Sequence, residues 1–113
     1  MTNLKKEAKK IEKELDFNWA QAVKNRDRWR CVICQDNNIV HAHHLLPREN
    51  KDTRCALWNG LTLCCLHHKF SLEISPHRNA CTFFFWLRLF RHEIWLHMED
   101  YLKARNELIW TKK

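Results

Sequence analysis

The chain has 113 residues, 45% of them apolar, and a formal net charge of +7. That length points to one compact domain with a modest core, of a size that a metal or disulfides commonly reinforce. No run of about 18 apolar residues is present to span a membrane, and the Lys/Glu-rich start lacks the apolar segment of a secretory signal, so the expected setting is a reducing cytoplasm.

The positive balance suits a polyanionic partner, nucleic acid first among them, although many soluble proteins are basic without one. Residues 1–30 carry nine Lys/Arg against five Asp/Glu. Leu4, Ala8, Ile11, Leu15, Trp19 and Val23 recur at steps of three and four, with Lys5, Lys6, Lys9, Lys10 and Lys13 on the other faces. This spacing predicts a basic amphipathic helix, broken near residues 16–18. Its charged face is either simply solvated or a contact for a DNA backbone.

Residues 31–78 hold five of the six cysteines, six of the eight histidines, the single glycine and both prolines. Residues 39–45 alternate weakly and suit a strand, and 47–53 read as a polar loop. Residues 57–63 suit a second strand, with Asn59-Gly60 as a turn signal. A short helix is expected over 66–73, with Pro76 at or beyond its end. In residues 79–113, Phe83, Trp86, Leu87, Phe90, Ile94, Met98, Tyr101, Leu102 and Leu108 fall at helical spacing. They predict one or two helices that pack back on the middle segment as core. No internal repeat or low-complexity tract is present.

Cys31-Val-Ile-Cys34 is a Cys-x2-Cys knuckle, and Cys64 with His67 forms a second pair at the same spacing. In a reduced chain two such pairs favour a metal over a disulfide. Four N/S donors in two close pairs suit a closed tetrahedral zinc site, which would add folding energy to a small domain. Cys65 competes with Cys64 for one position, and buried free thiols are the other reading. Cys55 and Cys81 have no partner at useful spacing and are expected to be small core residues.

Within the clamped segment lie His41-Ala42-His43-His44, then Asn59, then His67-His68. Together with Trp19, Val23, Arg26-Asp27 ahead of the knuckle, and with Asn59-Gly60-Leu61-Thr62-Leu63-Cys64-Cys65-Leu66-His67-His68, this order resembles the HNH (ββα-metal) endonucleases over residues 19–78. The chain departs from the family pattern at His67, which stands where the last knuckle cysteine is expected.

The resemblance implies a single α+β domain over 1–113. A small ββα-metal module with a structural zinc knuckle (31–78) would be flanked by the N-terminal helix (1–30) and C-terminal helices (79–113). It implies a metal-dependent DNA endonuclease that hydrolyses phosphodiester bonds. His44 would be the general base, a task that an imidazole with an ordinary pKa near 6.5 can perform at neutral pH. Asn59 would orient the His44 ring. His43 and His68 would bind a divalent ion that acts as a Lewis acid and stabilises the leaving 3′-oxygen. Adjacent strand residues point to opposite faces, so a twist or bulge is expected to bring His43 and His44 to one site.

His77 is either the third ligand, as in phage-type members, or a surface histidine in a proline-containing loop. His41 is expected on the opposite face or near a DNA backbone, and His92 and His97 as structural or exposed. Imidazole ligands admit Mn2+, Ni2+, Co2+ or Zn2+ as well as Mg2+. The zinc ligands would be Cys31, Cys34, Cys64 and His67. Arg26, Arg28, Arg30, Arg48, Lys51, Arg54, Lys69 and Arg78 are candidate phosphate contacts, with Trp29 packed under the knuckle. One such site cuts one strand, so a monomer would nick, and a double-strand break would need a homodimer or two events. Small size and the phage-type features suggest a mobile or phage-encoded enzyme of a bacterial cytoplasm. The competing readings are a non-catalytic zinc-dependent nucleic-acid-binding module and a protein-interaction domain built on the aromatic tail.

Overall fold

The computed structural model describes residues 2–70 and 74–111, with side chains described except at 69, 70 and 107–111. The far end of the helix expected over 66–73, the Lys69 side chain and the Leu108 side chain therefore lie outside the described residues.

Helix α1 spans Asn3–Arg26. The Thr2 hydroxyl accepts the Lys5 N–H at 3.3 Å and caps its start, satisfying a donor that the first turn leaves open. The expected break at 16–18 is absent. Asp16 points outward to Arg54 instead of capping a new helix. Only the second half of α1 packs: Trp19 and Val23 are buried, whereas Leu4, Ile11, Leu15 and Phe17 are exposed. After Asp27 the chain turns through Arg28 and Trp29, both at positive φ (59° and 56°). Trp29 is 40% exposed, donates its indole N–H to Asn25 Oδ1 at 2.7 Å, and lies beneath the Lys24 ammonium. It does not pack under the knuckle.

Strand β1 (Val40–His44) pairs antiparallel with β2 (Gly60–Cys64) in the register Val40↔Cys64 through His44↔Gly60. A single 3-10 turn, Leu57–Asn59, leads directly into β2. Asn59-Gly60 is therefore not a hairpin turn. Gly60 is extended, at φ −142°, and what it supplies is room. A Cβ there would lie 2.5 Å from Trp19 Cζ2 and 2.6 Å from Val23 Cγ2.

Side chains alternate along a strand, and β2 is buried along its whole length. Gly60 and Thr62 face α1, where the Thr62 hydroxyl reaches the Val23 carbonyl. Leu61 and Leu63 face the other way, into a cluster with Phe83, Leu87, Ile94 and Met98. Those four come from α2 (Ala80–Phe90) and α3 (His92–Thr111). The Asn79 side chain caps α2 by accepting the Thr82 N–H at 3.2 Å. The aromatic tail is only partly core, because Phe85, Leu89, Phe90 and Leu102 are exposed. The chain is thus a small α+β protein whose sheet lies between α1 and the α2–α3 pair. Among the described residues, no helix is long and apolar enough to cross a membrane.

Candidate functional site

Two separate donor clusters form where β2 runs into a π-helical turn, Leu66–Phe70. The first joins Cys31, Cys34, Cys64 and His67. Backbone hydrogen bonds shape the knuckle: Cys31 N–H to Asp36 O at 2.9 Å, Val32 N–H to Thr62 O at 3.0 Å and Gln35 N–H to Cys31 O at 2.8 Å. Cys34 and Cys64 Sγ are 3.7 Å apart, and His67 Nδ1 lies 3.6 Å from Cys31 Sγ and 3.3 Å from Cys64 Sγ. A tetrahedral ion with bonds of about 2.3 Å to sulfur and about 2.0 Å to nitrogen sets separations of about 3.5–3.8 Å; two of these three lie in that range and the Cys64–His67 separation is slightly shorter, so the cluster could hold a metal such as zinc. Burial, then contact with Cys31 and Cys64, pushes the Cys34 thiol up to about 11. Burial also lowers the His67 pKa, keeping it in the neutral form that ligation needs. Cys65 stays outside the cluster and is exposed, which settles its competition with Cys64. Cys55 and Cys81 are exposed too, and are not core residues.

The second cluster joins His43, His68 and His77. His43 Nδ1 lies 3.1 Å from His68 Nε2, and His77 Nε2 lies 3.0 Å from the same atom. The loop that returns His77 is held by buried Ser75, whose hydroxyl donates to His68 O at 2.7 Å and accepts the His77 N–H at 3.3 Å. Burial, reinforced by His68 and His77, drives the His43 pKa down to about 3. One ring nitrogen carries at most one proton, so His68 Nε2 can donate to only one of its two neighbours. A cation would satisfy all three lone pairs. An all-imidazole set suits late divalent ions better than magnesium. His41 leaves β1 on the same face as His43, with its ring 6.0 Å from that of His68. It does not lie on the opposite face.

His44 occupies the other face of β1. The register contains no bulge, so the expected twist that would bring His43 and His44 to one side is not there. The His44 ring stacks on Trp19 at 3.7 Å and 6°, and Trp19 is itself fixed by its indole N–H bond to Ala56 O at 2.9 Å. His44 Nε2 lies 3.0 Å from Arg54 O. A carbonyl only accepts, so Nε2 carries the proton and Nδ1 is left as the basic nitrogen. Burial lowers the His44 pKa, opposed by the Arg54 carbonyl and by Asp16. Arg54 is held by both Asp16 oxygens, at 2.8 and 2.6 Å, and by Glu12 at 3.1 Å. The guanidinium holds the Asp16 carboxyl below its usual range.

Asn59 makes no hydrogen bond to the His44 ring. Buried, it accepts the Leu46 N–H at 2.7 Å and donates to Leu46 O and Thr53 O at 3.1 and 3.0 Å. It pins both ends of the loop whose continuation presents the Arg54 carbonyl, so its influence on the imidazole is indirect. Arg26 is also taken up internally, by Asp27 at 2.9 Å and by the carbonyls of Leu57 and Gly60 at 2.8 and 2.6 Å. Asp27 in turn accepts the Thr62 N–H at 3.0 Å. The Arg26-Asp27 pair therefore welds α1 to β2. Arg28, Arg30, Arg48, Lys51 and Arg78 are exposed, as are His92 and His97.

Sequence reasoning missed the Trp19–His44 stack and the Asp16–Arg54 clamp. Trp19 lay on the apolar stripe of α1, but periodicity identifies a face and not the ring it covers. No family model, curated protein or solved structure matches the chain.

Proposed function

We propose that the chain is a metal-dependent DNA endonuclease of the HNH type. The observation that carries this reading is the pairing of His44, an oriented neutral imidazole, with the three-histidine cluster one residue away on the other face of the same strand. Within the described sheet β1 has no neighbour on its outer side. A phosphodiester lying along that edge could be reached from both faces at once. The order of strand, strand and helical turn, with a Cys3His knuckle beside it, supports the same reading.

His44 Nδ1 would take the proton from the attacking water. The resulting imidazolium keeps its Nε2–H on Arg54 O, and the neighbouring Asp16 carboxylate favours the charge. Asn59 holds the loop that positions that carbonyl. His43, His68 and His77 would hold a divalent ion, which when bound supplies Lewis acidity at the phosphate and the leaving 3′-oxygen. Arg30, Arg48, Lys51 and Arg78 would contact backbone phosphates, making affinity fall steeply with salt.

Nicking of supercoiled plasmid in Mn2+, Ni2+ or Mg2+ tests this reading. Wild type should produce open circles, and His44→Ala should slow that by roughly 100-fold or more with zinc content retained and the chain still folded by circular dichroism. Tight DNA binding without metal-dependent nicking would replace the reading with a non-catalytic zinc module. Neither nicking nor binding would leave the aromatic tail as the functional surface.

A further inference from the structure

A groove of about 670 Å³ opens between the C-terminal end of α1, the Leu57–Asn59 turn and α3. That volume falls within the range of small-ligand pockets. None of His43, His44, His68 or His77 lines it, so it is separate from the proposed cleavage site.

Its chemistry is asymmetric. Arg26, on one wall, is neutralised by Asp27. Arg28 and Arg91, also on the walls, make no ion pair among the described residues, and the nearby Glu93 pairs with neither. Arg28 is one of the two consecutive residues at positive φ. For a non-glycine residue that conformation is uncommon and costs free energy, and here it accompanies a guanidinium on the groove wall. Two ring side chains belong to the lining. Trp58 packs against the core and lines the groove together with His97, the two rings lying within 11° of parallel at 6.1 Å between centroids. Leu57, Ile94 and Val32 complete an apolar lining.

Two unpaired guanidiniums beside an accessible aromatic surface match a ligand with a phosphate at one end and a planar ring at the other. Guanidinium groups bind phosphate in a bidentate manner, and bases stack on aromatic side chains with little regard to sequence. A bare anion would make no use of Trp58. We infer that this groove is a second, non-catalytic site for a nucleotide unit, with its phosphate on Arg28 and Arg91 and its base against Trp58 and His97. The unit is either a free nucleotide or one residue of a single strand.

The zinc-loaded chain, with no other divalent ion added, is titrated with adenosine monophosphate, a single-stranded hexanucleotide and inorganic phosphate, while amide and indole NMR resonances are followed. Adenosine monophosphate should saturate the Trp58 indole and the Arg28 and Arg91 amides, and leave the surroundings of His43 and His68 in place. Inorganic phosphate should bind at least about tenfold more weakly, and Arg28→Gln and Arg91→Gln, made separately so that each fold is checked, should each weaken the nucleotide about tenfold. Tighter binding of the hexanucleotide identifies a strand as the source; preference for the mononucleotide identifies a free ligand. The inference falls if neither nucleotide saturates, if the shifts centre on the histidine cluster, or if phosphate or polyglutamate binds as tightly. It also falls if both arginine variants bind unchanged. Plasmid nicking does not enter these outcomes, so either proposal can fail alone.

Discussion

His44 is fixed from two directions by groups that leave one nitrogen available. Trp19 covers its face and Arg54 O accepts the hydrogen bond from its Nε2–H. A general base works in its neutral form, and burial disfavours the imidazolium, so the His44 pKa lies below its ordinary 6.5. The acid limb of nicking should therefore have its midpoint below pH 6.5. Trp19→Ala, which opens the ring to water, should move that limb upward, and rate profiles between about pH 5 and 8 would measure both. A limb at the same pH in both proteins would show that Trp19 does not tune the base. The residue types of this site were legible in the sequence, because His-His doublets flanking an asparagine are uncommon. Their partners were not. The acceptor for His44 is a backbone carbonyl ten positions away, a feature that leaves no mark on residue identity. Asn59 was expected to act on the ring and instead satisfies three backbone groups of a loop.

At the scale of elements, both strands and the C-terminal helices followed from periodicity and from apolar spacing. The errors came where a polar residue has a tertiary partner. Asp16 and Asn18 resemble a helix stop, but the Asp16–Arg54 pair is made across the helix surface and leaves the α-helical ladder intact. Asn59-Gly60 resembles a turn, but the glycine serves the close approach of α1 to β2. Gly60→Ala should thus lower stability by about 1–3 kcal/mol through overpacking, seen as a lower urea midpoint together with altered tryptophan emission. The flanking Trp19 ring cannot yield easily, since it is held at both its face and its N–H. An unchanged midpoint would mean that α1 can move away from the sheet at little cost. Cys55 and Cys81 show a related limit: a small apolar residue without a sequence partner can as readily be exposed as buried.

Across the whole molecule, the core assembled from Leu61, Leu63, Phe83, Leu87, Ile94 and Met98 is small, and the first half of α1 adds nothing to it. A small core of this kind leaves a large share of stability to cross-links. Cys31 and Cys34 lie on the segment after α1, and Cys64 and His67 at the end of β2 and in the π-helical turn. One ion there would tie together parts of the chain that the core alone holds weakly. Removal of zinc by a strong chelator should therefore cost several kcal/mol, read as a large fall in thermal midpoint by circular dichroism. Retention of the full midpoint after verified metal loss would show that the cluster is not structural. The Cys-x2-Cys and Cys-x2-His spacings made most of this cluster legible, although spacing did not choose between Cys64 and Cys65. The position of α1 against the sheet was not legible, since amphipathicity gives no docking partner.

His67 and His68 are consecutive residues of the π-helical turn, yet they face different clusters. One peptide unit therefore serves as the shared hinge pin of both centres. An expected order of assembly follows from this placement: the Cys3His cluster, with Cys31 and Cys64 buried, would close first, and the three-histidine cluster would settle on that frame.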